Sequence, residues 1–124
     1  MLLGLGTDII EISRIEKALK NDNFKYKVYT PKEIEEAEKK GINKFSTYAG
    51  KFCAKEAISK ALGTGVRGFN LIDMEILSDE LGKPKVYFYG SLKEMMLDKY
   101  IEISISHCKE YATAVAILMK GENK

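Results

Sequence analysis

Phe45-Ser46-Thr47-Tyr48-Ala49-Gly50-Lys51-Phe52-Cys53-Ala54-Lys55-Glu56-Ala57-Ile58-Ser59-Lys60-Ala61-Leu62 reads as one helix, with Gly63 as its C-terminal stop. At about 100° per residue, Phe45, Phe52, Cys53, Glu56, Lys60 and Gly63 fall close to the direction of Ala49. The opposite side, Ala54, Ile58 and Ala61, is apolar too, which leaves Lys51, Lys55 and Ser59 as a polar strip. A helix apolar on both sides is surrounded by protein, and two charges, Glu56 and Lys60, are expected to face inward. An inward carboxylate must be paired, protonated or metal-bound. Lys60 follows Glu56 by one turn in the favourable order, so a structural ion pair fits. A site in which Glu56 holds a cation and Lys60 faces an anion fits as well. Gly63-Thr64-Gly65 follows directly, and glycines there let backbone amides approach an anion.

On the N-terminal side, Leu2 to Gly6 reads as a short strand. Ile9, Ile10, Ile12, Ile15 and Leu19 recur at helical spacing, predicting a helix from Ile9 to Lys20 with Asp8 as N-cap and Glu11 completing its box. Asn21 to Asn23 would end it. Thr30-Pro31-Lys32-Glu33 starts a second helix that ends near Gly41, and its acidic run from Glu33 to Glu38 reads as a solvated face. Beyond the central helix, Asp73–Leu77 and Val86–Tyr89 read as strands around a Gly82-Lys83-Pro84 turn. Ser91 would cap a short helix through Asp98. Ile101, Ile103 and Ile105 alternate with Glu102, Ser104 and Ser106, a half-buried strand, and a link from His107 to Glu110 leads to an apolar strand from Tyr111 to Met119, together a hairpin. The sum is an α+β fold: helices on a mostly antiparallel sheet, one domain over residues 1–120 with a frayed tail at 121–124.

The composition narrows the chemistry. The chain has 124 residues, 45% hydrophobic and 31% charged, as globular proteins do. Twenty basic and eighteen acidic side chains leave a net charge of +2, which argues against a generally polyanion-binding surface. Cys53 and Cys108 are too few for a disulfide scaffold. With no membrane-length apolar run and no signal-like start, a cytoplasmic protein with no membrane partner is expected. His107 is the single histidine, no Cys-x-x-Cys pair offers a zinc site, and no phosphate loop ends in Gly-Lys-Ser/Thr. An enzyme with this inventory works with carboxylates, lysines, backbone amides and a hard metal such as Mg²⁺, for which Asp8 and Glu56 are candidate ligands.

Two segments taken together are more specific. Gly4-Leu5-Gly6-Thr7-Asp8-Ile9-Ile10-Glu11-Ile12 with Arg14-Ile15, and Gly50-Lys51-Phe52-Cys53-Ala54-Lys55-Glu56-Ala57 with Lys60-Ala61-Leu62-Gly63-Thr64-Gly65, resemble the two signature motifs of 4′-phosphopantetheinyl transferases. The short length and the ending Ile103-Ser104-Ile105-Ser106-His107 resemble the small single-domain branch of that family. The resemblance runs from Leu3 to about Ile117.

It implies transfer of phosphopantetheine from coenzyme A to a serine of an apo acyl carrier protein, releasing adenosine 3′,5′-bisphosphate. The carrier supplies the nucleophile, which accounts for the missing activated serine or cysteine here. Asp8 and Glu56 match the family's Mg²⁺-binding acids, and Lys60 the lysine facing the pyrophosphate. Lys51, Gly63, Thr64, Gly65, Lys83, Pro84 and His107 are implied as coenzyme A contacts, His107 at the nucleotide or 3′-phosphate end. The family also implies a homotrimer with active sites between subunits, His107 coming from the neighbour.

Between Arg14 and Lys27 stand five basic residues (Arg14, Lys17, Lys20, Lys25, Lys27) against Glu16 and Asp22, a local +3 that suits an acidic carrier protein, with Phe24 as an apolar anchor. Lys51 stands where relatives commonly have arginine, Asn21 and Asn23 replace an often basic region, and Leu81 replaces a polar residue. Two rivals predict different behaviour: a non-enzymatic binder of an acidic protein or RNA through the Arg14–Lys27 patch, for which Glu56 is dispensable, and a Mg²⁺-dependent phosphohydrolase that needs no carrier.

Overall fold

The computed structural model describes residues 1–63 and 69–121. The N-terminal strand is longer than its apolar residues suggest: β1 spans Leu2–Glu11. It lies antiparallel to the last strand, β5 (Tyr111–Lys120), with Asp8 opposite Ala114 and Glu11 opposite Tyr111. This pairing corrects the expected start of the first helix. Asp8 is a strand residue and caps nothing, because β5 offers its backbone a ladder partner that no local sequence pattern reveals. The first helix, α1, is only Ile12–Ala18, and its N-cap Glu11 makes no side-chain cap bond. The chain does break at Asn21, but the Asn21 side chain then starts a further helix, α2 (Asp22–Val28), by accepting from the Asn23 N–H at 2.8 Å.

The next start signal holds. α3 is Pro31–Glu38; the Glu33 N–H donates to Thr30 Oγ1 at 3.3 Å, and the Thr30 N–H to Glu33 Oε1 at 2.9 Å. Its acidic run is a solvated face only in part: Glu35 and Glu38 are exposed and Glu36 is half-buried. Glu33 is wholly buried, and Lys55 Nζ lies 2.7 Å from its Oε1. A short 3₁₀ turn at Gly41–Asn43 leads into α4, Lys44–Leu62, the predicted central helix. Gly63 ends it at φ +96°, its N–H returning to the Ser59 and Lys60 carbonyls.

The expected polarity of α4 is inverted. Lys51 and Lys55 are buried, whereas Lys60 is exposed and Glu56 half-buried. Helical periodicity reports which side a residue lies on, but not which side a neighbour covers. Here α3 supplies acids that accept both lysines.

A second 3₁₀ turn, Leu71–Asp73, precedes β2 (Met74–Ser78), which forms a hairpin with β3 (Pro84–Phe88). Gly82 takes φ +84° in the intervening turn. The following helix, α5, is only Ser91–Met95 and is N-capped by Gly90, so Ser91 is its first helical residue. β4 (Lys99–His107) then pairs with β5 through the expected hairpin, His107 opposite Ala112. The sheet order β1-β5-β4 makes the last strand central and β1 an edge.

One face of that sheet packs on α4. Ala112, Ala114, Ala116 and Leu118 of β5 are buried there with Ala49, Cys53, Ala57 and Ala61 of the helix in a single core. Small side chains bring helix and sheet together closely. A Cβ on Gly6 would lie 1.9 Å from the Ala57 carbonyl oxygen. The other face is largely uncovered: Leu3, Leu5, Ile9, Tyr111 and Ile117 are all exposed.

Candidate active site

Directly opposed residues in an antiparallel ladder share a face, so Asp8 lies on the same side as Ala114, toward α4. Gly6, two residues earlier on that face, lets the helix sit against the strand. This close approach carries the Asp8 carboxylate to the last two turns of α4. Lys60 Nζ donates to the Thr7 carbonyl oxygen at 2.9 Å and to Asp8 Oδ1 at 3.3 Å. The Asp8 side chain is 18% exposed and that of Lys60 59%. The Lys60 partner is thus Asp8, and among the described residues no ion pair joins Lys60 to Glu56.

Glu56 completes the group. Burial raises its pKa above the ordinary carboxylate value, the neighbouring Asp8 charge raises it further, and Lys60 opposes both. The same surroundings push the wholly buried Cys53 thiol up to about 12, chiefly through burial and then through Asp8. Cys53 is therefore an inert wall, and its thiol donates to the Ala112 carbonyl oxygen at 3.4 Å. A carboxylate whose charge is disfavoured by burial and by a second carboxylate, beside one exposed lysine, favours a bound cation. Among the described residues no group of three or more His, Cys, Asp or Glu side chains could enclose a metal. Two protein carboxylates with an open side fit Mg²⁺, which keeps waters and substrate phosphates as its other ligands.

His107 lies elsewhere. With Gly82 and Pro84 from the β2–β3 turn and Lys51, Gly50, Ser46 and Thr47 from α4, it lines a cleft of about 250 Å³. Glu36 and Lys40 line the same cleft, and neither was singled out from the sequence. Their signal there was an ambiguous one, acidic and basic residues near the end of a polar helix. Lys83 does not reach the cleft; its Nζ lies 3.5 Å from Glu102 Oε2 in an exposed pair. Thr64 and Gly65 lie outside the described residues.

The two features face different ways. Lys51 and Glu56 are five residues apart on α4, which is about 7.5 Å along the axis and about 140° around it.

Arg14, Lys17, Lys20 and Lys27 are exposed along α1 and α2. Phe24 is half-buried, its ring 5.9 Å from that of Phe52 and 6.2 Å from that of Tyr29. It braces the core beneath the basic patch.

The family model for the 4′-phosphopantetheinyl transferase superfamily matches residues 4–116. The holo-[acyl-carrier-protein] synthase of Fusobacterium nucleatum is 56% identical over 123 residues, covering 96% of this chain and 100% of that protein. The enzyme of the same name from Clostridium botulinum (strain Eklund 17B) is 53% identical over 95% of this chain and 98% of its own. Among solved structures, a holo-(acyl-carrier-protein) synthase from Bacillus anthracis in complex with CoA (3′,5′-ADP) superposes with a TM-score of 0.82 at 38% identity, covering 98% of this chain and 99% of that one. The Neisseria meningitidis holo-[acyl-carrier-protein] synthase superposes with a TM-score of 0.85 at 32% identity over 97% of this chain and 100% of that one.

Proposed function

The chain belongs to the 4′-phosphopantetheinyl transferase superfamily, and from this premise we propose how its residues divide the work. It transfers the 4′-phosphopantetheine group of coenzyme A to a serine hydroxyl of apo acyl carrier protein. The serine oxygen forms a bond to the phosphorus bearing the pantetheine arm. The bond to the bridging oxygen breaks, adenosine 3′,5′-bisphosphate leaves, and the serine proton passes to a carboxylate or to water.

Asp8 and Glu56 hold the Mg²⁺ ion in this proposal. When bound, the ion neutralises charge on the pyrophosphate and on the departing bisphosphate. Lys60 is exposed and held by the Thr7 carbonyl and Asp8, so it presents its ammonium to the same pyrophosphate and stabilises charge that grows during transfer. Gly63 ends α4 beside it, but its N–H is returned to the Ser59 and Lys60 carbonyls and is not offered to the coenzyme as the sequence led us to expect; the contacts expected of Thr64 and Gly65 lie outside the described residues. Pro84, His107 and Lys51 serve the nucleotide end in the cleft of His107. Arg14, Lys17 and Lys20 dock the acidic carrier, raising the rate of encounter more than the affinity.

The separation of the two features supports a shared active site. Since the acids and the His107 cleft lie on different sides of α4, one coenzyme molecule spans both when the cleft comes from a neighbouring copy. The uncovered apolar face of the sheet supports assembly as well. We therefore take the working form to be a homotrimer. Among the described residues no helix is long and apolar enough to cross a membrane, and Cys53 and Cys108 are unpaired; we place the enzyme in the cytoplasm.

The observation that carries this reading is the convergence of Asp8, Glu56 and Lys60 where Gly6 lets α4 meet β1. Its test is to incubate the protein with coenzyme A, Mg²⁺ and apo carrier protein and to weigh the carrier. We expect a gain of one phosphopantetheine group, loss of that gain when Mg²⁺ is chelated, and a fall in rate of about a hundredfold or more in Glu56→Gln with thermal stability retained. An active Glu56→Gln protein would remove Glu56 from the metal site.

A further inference from the structure

The His107 cleft contains a carboxylate at a place where an anionic ligand would gain from having none. Glu36 lines it together with Lys40 and Lys51. Lys51 is 4% exposed and already engaged: its Nζ donates to Glu36 Oε2 at 2.5 Å and to the Ile76 carbonyl oxygen at 2.5 Å. The second oxygen of Glu36 accepts from the Ser78 N–H at 2.9 Å, which fixes the carboxylate between α4 and β2. Burial opposes the charge on Glu36, but the hydrogen bonds from Lys51 and Ser78 and the charges of Lys51 and Lys40 hold its pKa below the ordinary value. The charge of Lys40 is therefore also felt at Glu36. Of the two cations that line the cleft, one is bonded to Glu36 and the other shares its field.

We propose that Glu36 is a specificity-determining residue of this cleft: by holding the Lys51 ammonium it sets how tightly the cleft grips a terminal phosphate on the coenzyme. A phosphate entering the cleft competes with Glu36 for Lys51 and meets the like charge of Glu36 itself. Both effects weaken a phosphate selectively and leave an uncharged ribose almost untouched. A moderate grip suits a transferase whose product keeps that phosphate and must leave. The proposal rests on the reading that the nucleotide end of coenzyme A enters this cleft.

The test is calorimetric binding of adenosine 3′,5′-bisphosphate and of adenosine 5′-phosphate to the full-length assembled protein. Glu36→Gln removes the charge and keeps one acceptor oxygen, which serves Lys51 or the Ser78 N–H but not both. It is expected to tighten the bisphosphate by about threefold to tenfold and the monophosphate by much less. The KM for coenzyme A should fall in parallel. Lys51→Met is expected to weaken the bisphosphate by leaving Glu36 unpaired, and Lys51→Met/Glu36→Gln to return it close to the wild-type value. This rescue also serves if Glu36→Gln alone fails to fold. Equal changes for the two nucleotides, weaker binding in Glu36→Gln, or an unrescued double variant would overturn the proposal. His107→Ala separates it from the reading beneath it. If His107→Ala weakens the bisphosphate and Glu36→Gln does not tighten it, the role of Glu36 alone is wrong. If neither variant changes binding, the nucleotide end lies elsewhere and both ideas fall.

Discussion

A methyl group on Gly6 would press against the Ala57 carbonyl at 1.9 Å, and one on Gly4 against that of Ala61 at 2.0 Å, in both cases against helix backbone. Backbone cannot rotate aside as a side chain can, so either strand or helix would have to move. Asp8 reaches Lys60 only because the strand lies this close. Gly6→Ala is therefore expected to lower stability by about 1–3 kcal/mol and to cut transfer further than this loss explains. Thermal melts and initial rates on the soluble fraction check it; full activity in a Gly6→Ala protein would show that the contact does not position the acids. At this scale the sequence was partly legible. Glu56 and Lys60 stand out because charged residues inside an apolar stripe are unusual, whereas Asp8 reads locally as a helix N-cap and stands out only through the motif that it shares with the family. Their pairing was not legible: Lys60 was matched to Glu56 by helical spacing, but Asp8, from another element, holds it.

Two buried lysines of α4 organise the elements around it. Lys55 is wholly buried, donating to the Val28 carbonyl oxygen at the end of α2 and to Glu33 on α3, while Glu33 accepts the Ile76 N–H of β2 at 2.7 Å. Burial pulls the Lys55 pKa below the ordinary lysine value, against the Glu33 charge. Removing one partner strands the other, so Lys55→Met should cost about 3–5 kcal/mol, with part of this recovered in Lys55→Met/Glu33→Gln. Chemical denaturation of wild type and the two variants reads the difference, and equal losses would argue against coupling. Glu36 behaves differently with pH. Its folded pKa lies below the ordinary 4.5, so the stabilisation from its partners is complete above that value and is lost as pH falls through the lowered one. The difference in melting temperature between wild type and Glu36→Gln should thus be largest near neutrality and shrink below about pH 4.5. These buried pairs explain where sequence reading failed. The capping box of Thr30 and the length of α4 are local properties and were read correctly. The burial of Glu33, Lys51 and Lys55 is a property of three elements together, and a run of charges looks the same whether water or a partner covers it.

At the scale of the molecule, the sheet has two unlike faces. The helix-covered face is built of alanines, and the open one carries Leu5 opposite Ile117 and Thr7 opposite Val115 on an edge strand. Exposed apolar edges invite association, which the proposed homotrimer would satisfy in a closed and specific way. Leu5→Glu should leave each 14.0 kDa chain folded but shift sedimentation from three times that mass toward the single chain, with transfer falling in step. A variant that remains assembled and active would place the interface elsewhere. The alternating strands and the β4–β5 hairpin were legible because their signals lie within about twenty residues of each other. The partner of β1 was not, since it lies at the far end of the chain.

That same pairing constrains the birth of the protein. While the chain emerges from the ribosome, Leu2, Leu5, Ile9 and Ile10 have no ladder partner until residues 111–120 have been made. The edge of the sheet, and with it the position of Asp8, is completed only after residues 111–120 have been made. Such long-range closure slows folding and leaves a sticky N-terminal segment waiting for its partner. Asp8 is thus translated about a hundred residues before Ala114, the residue that it faces in the finished ladder.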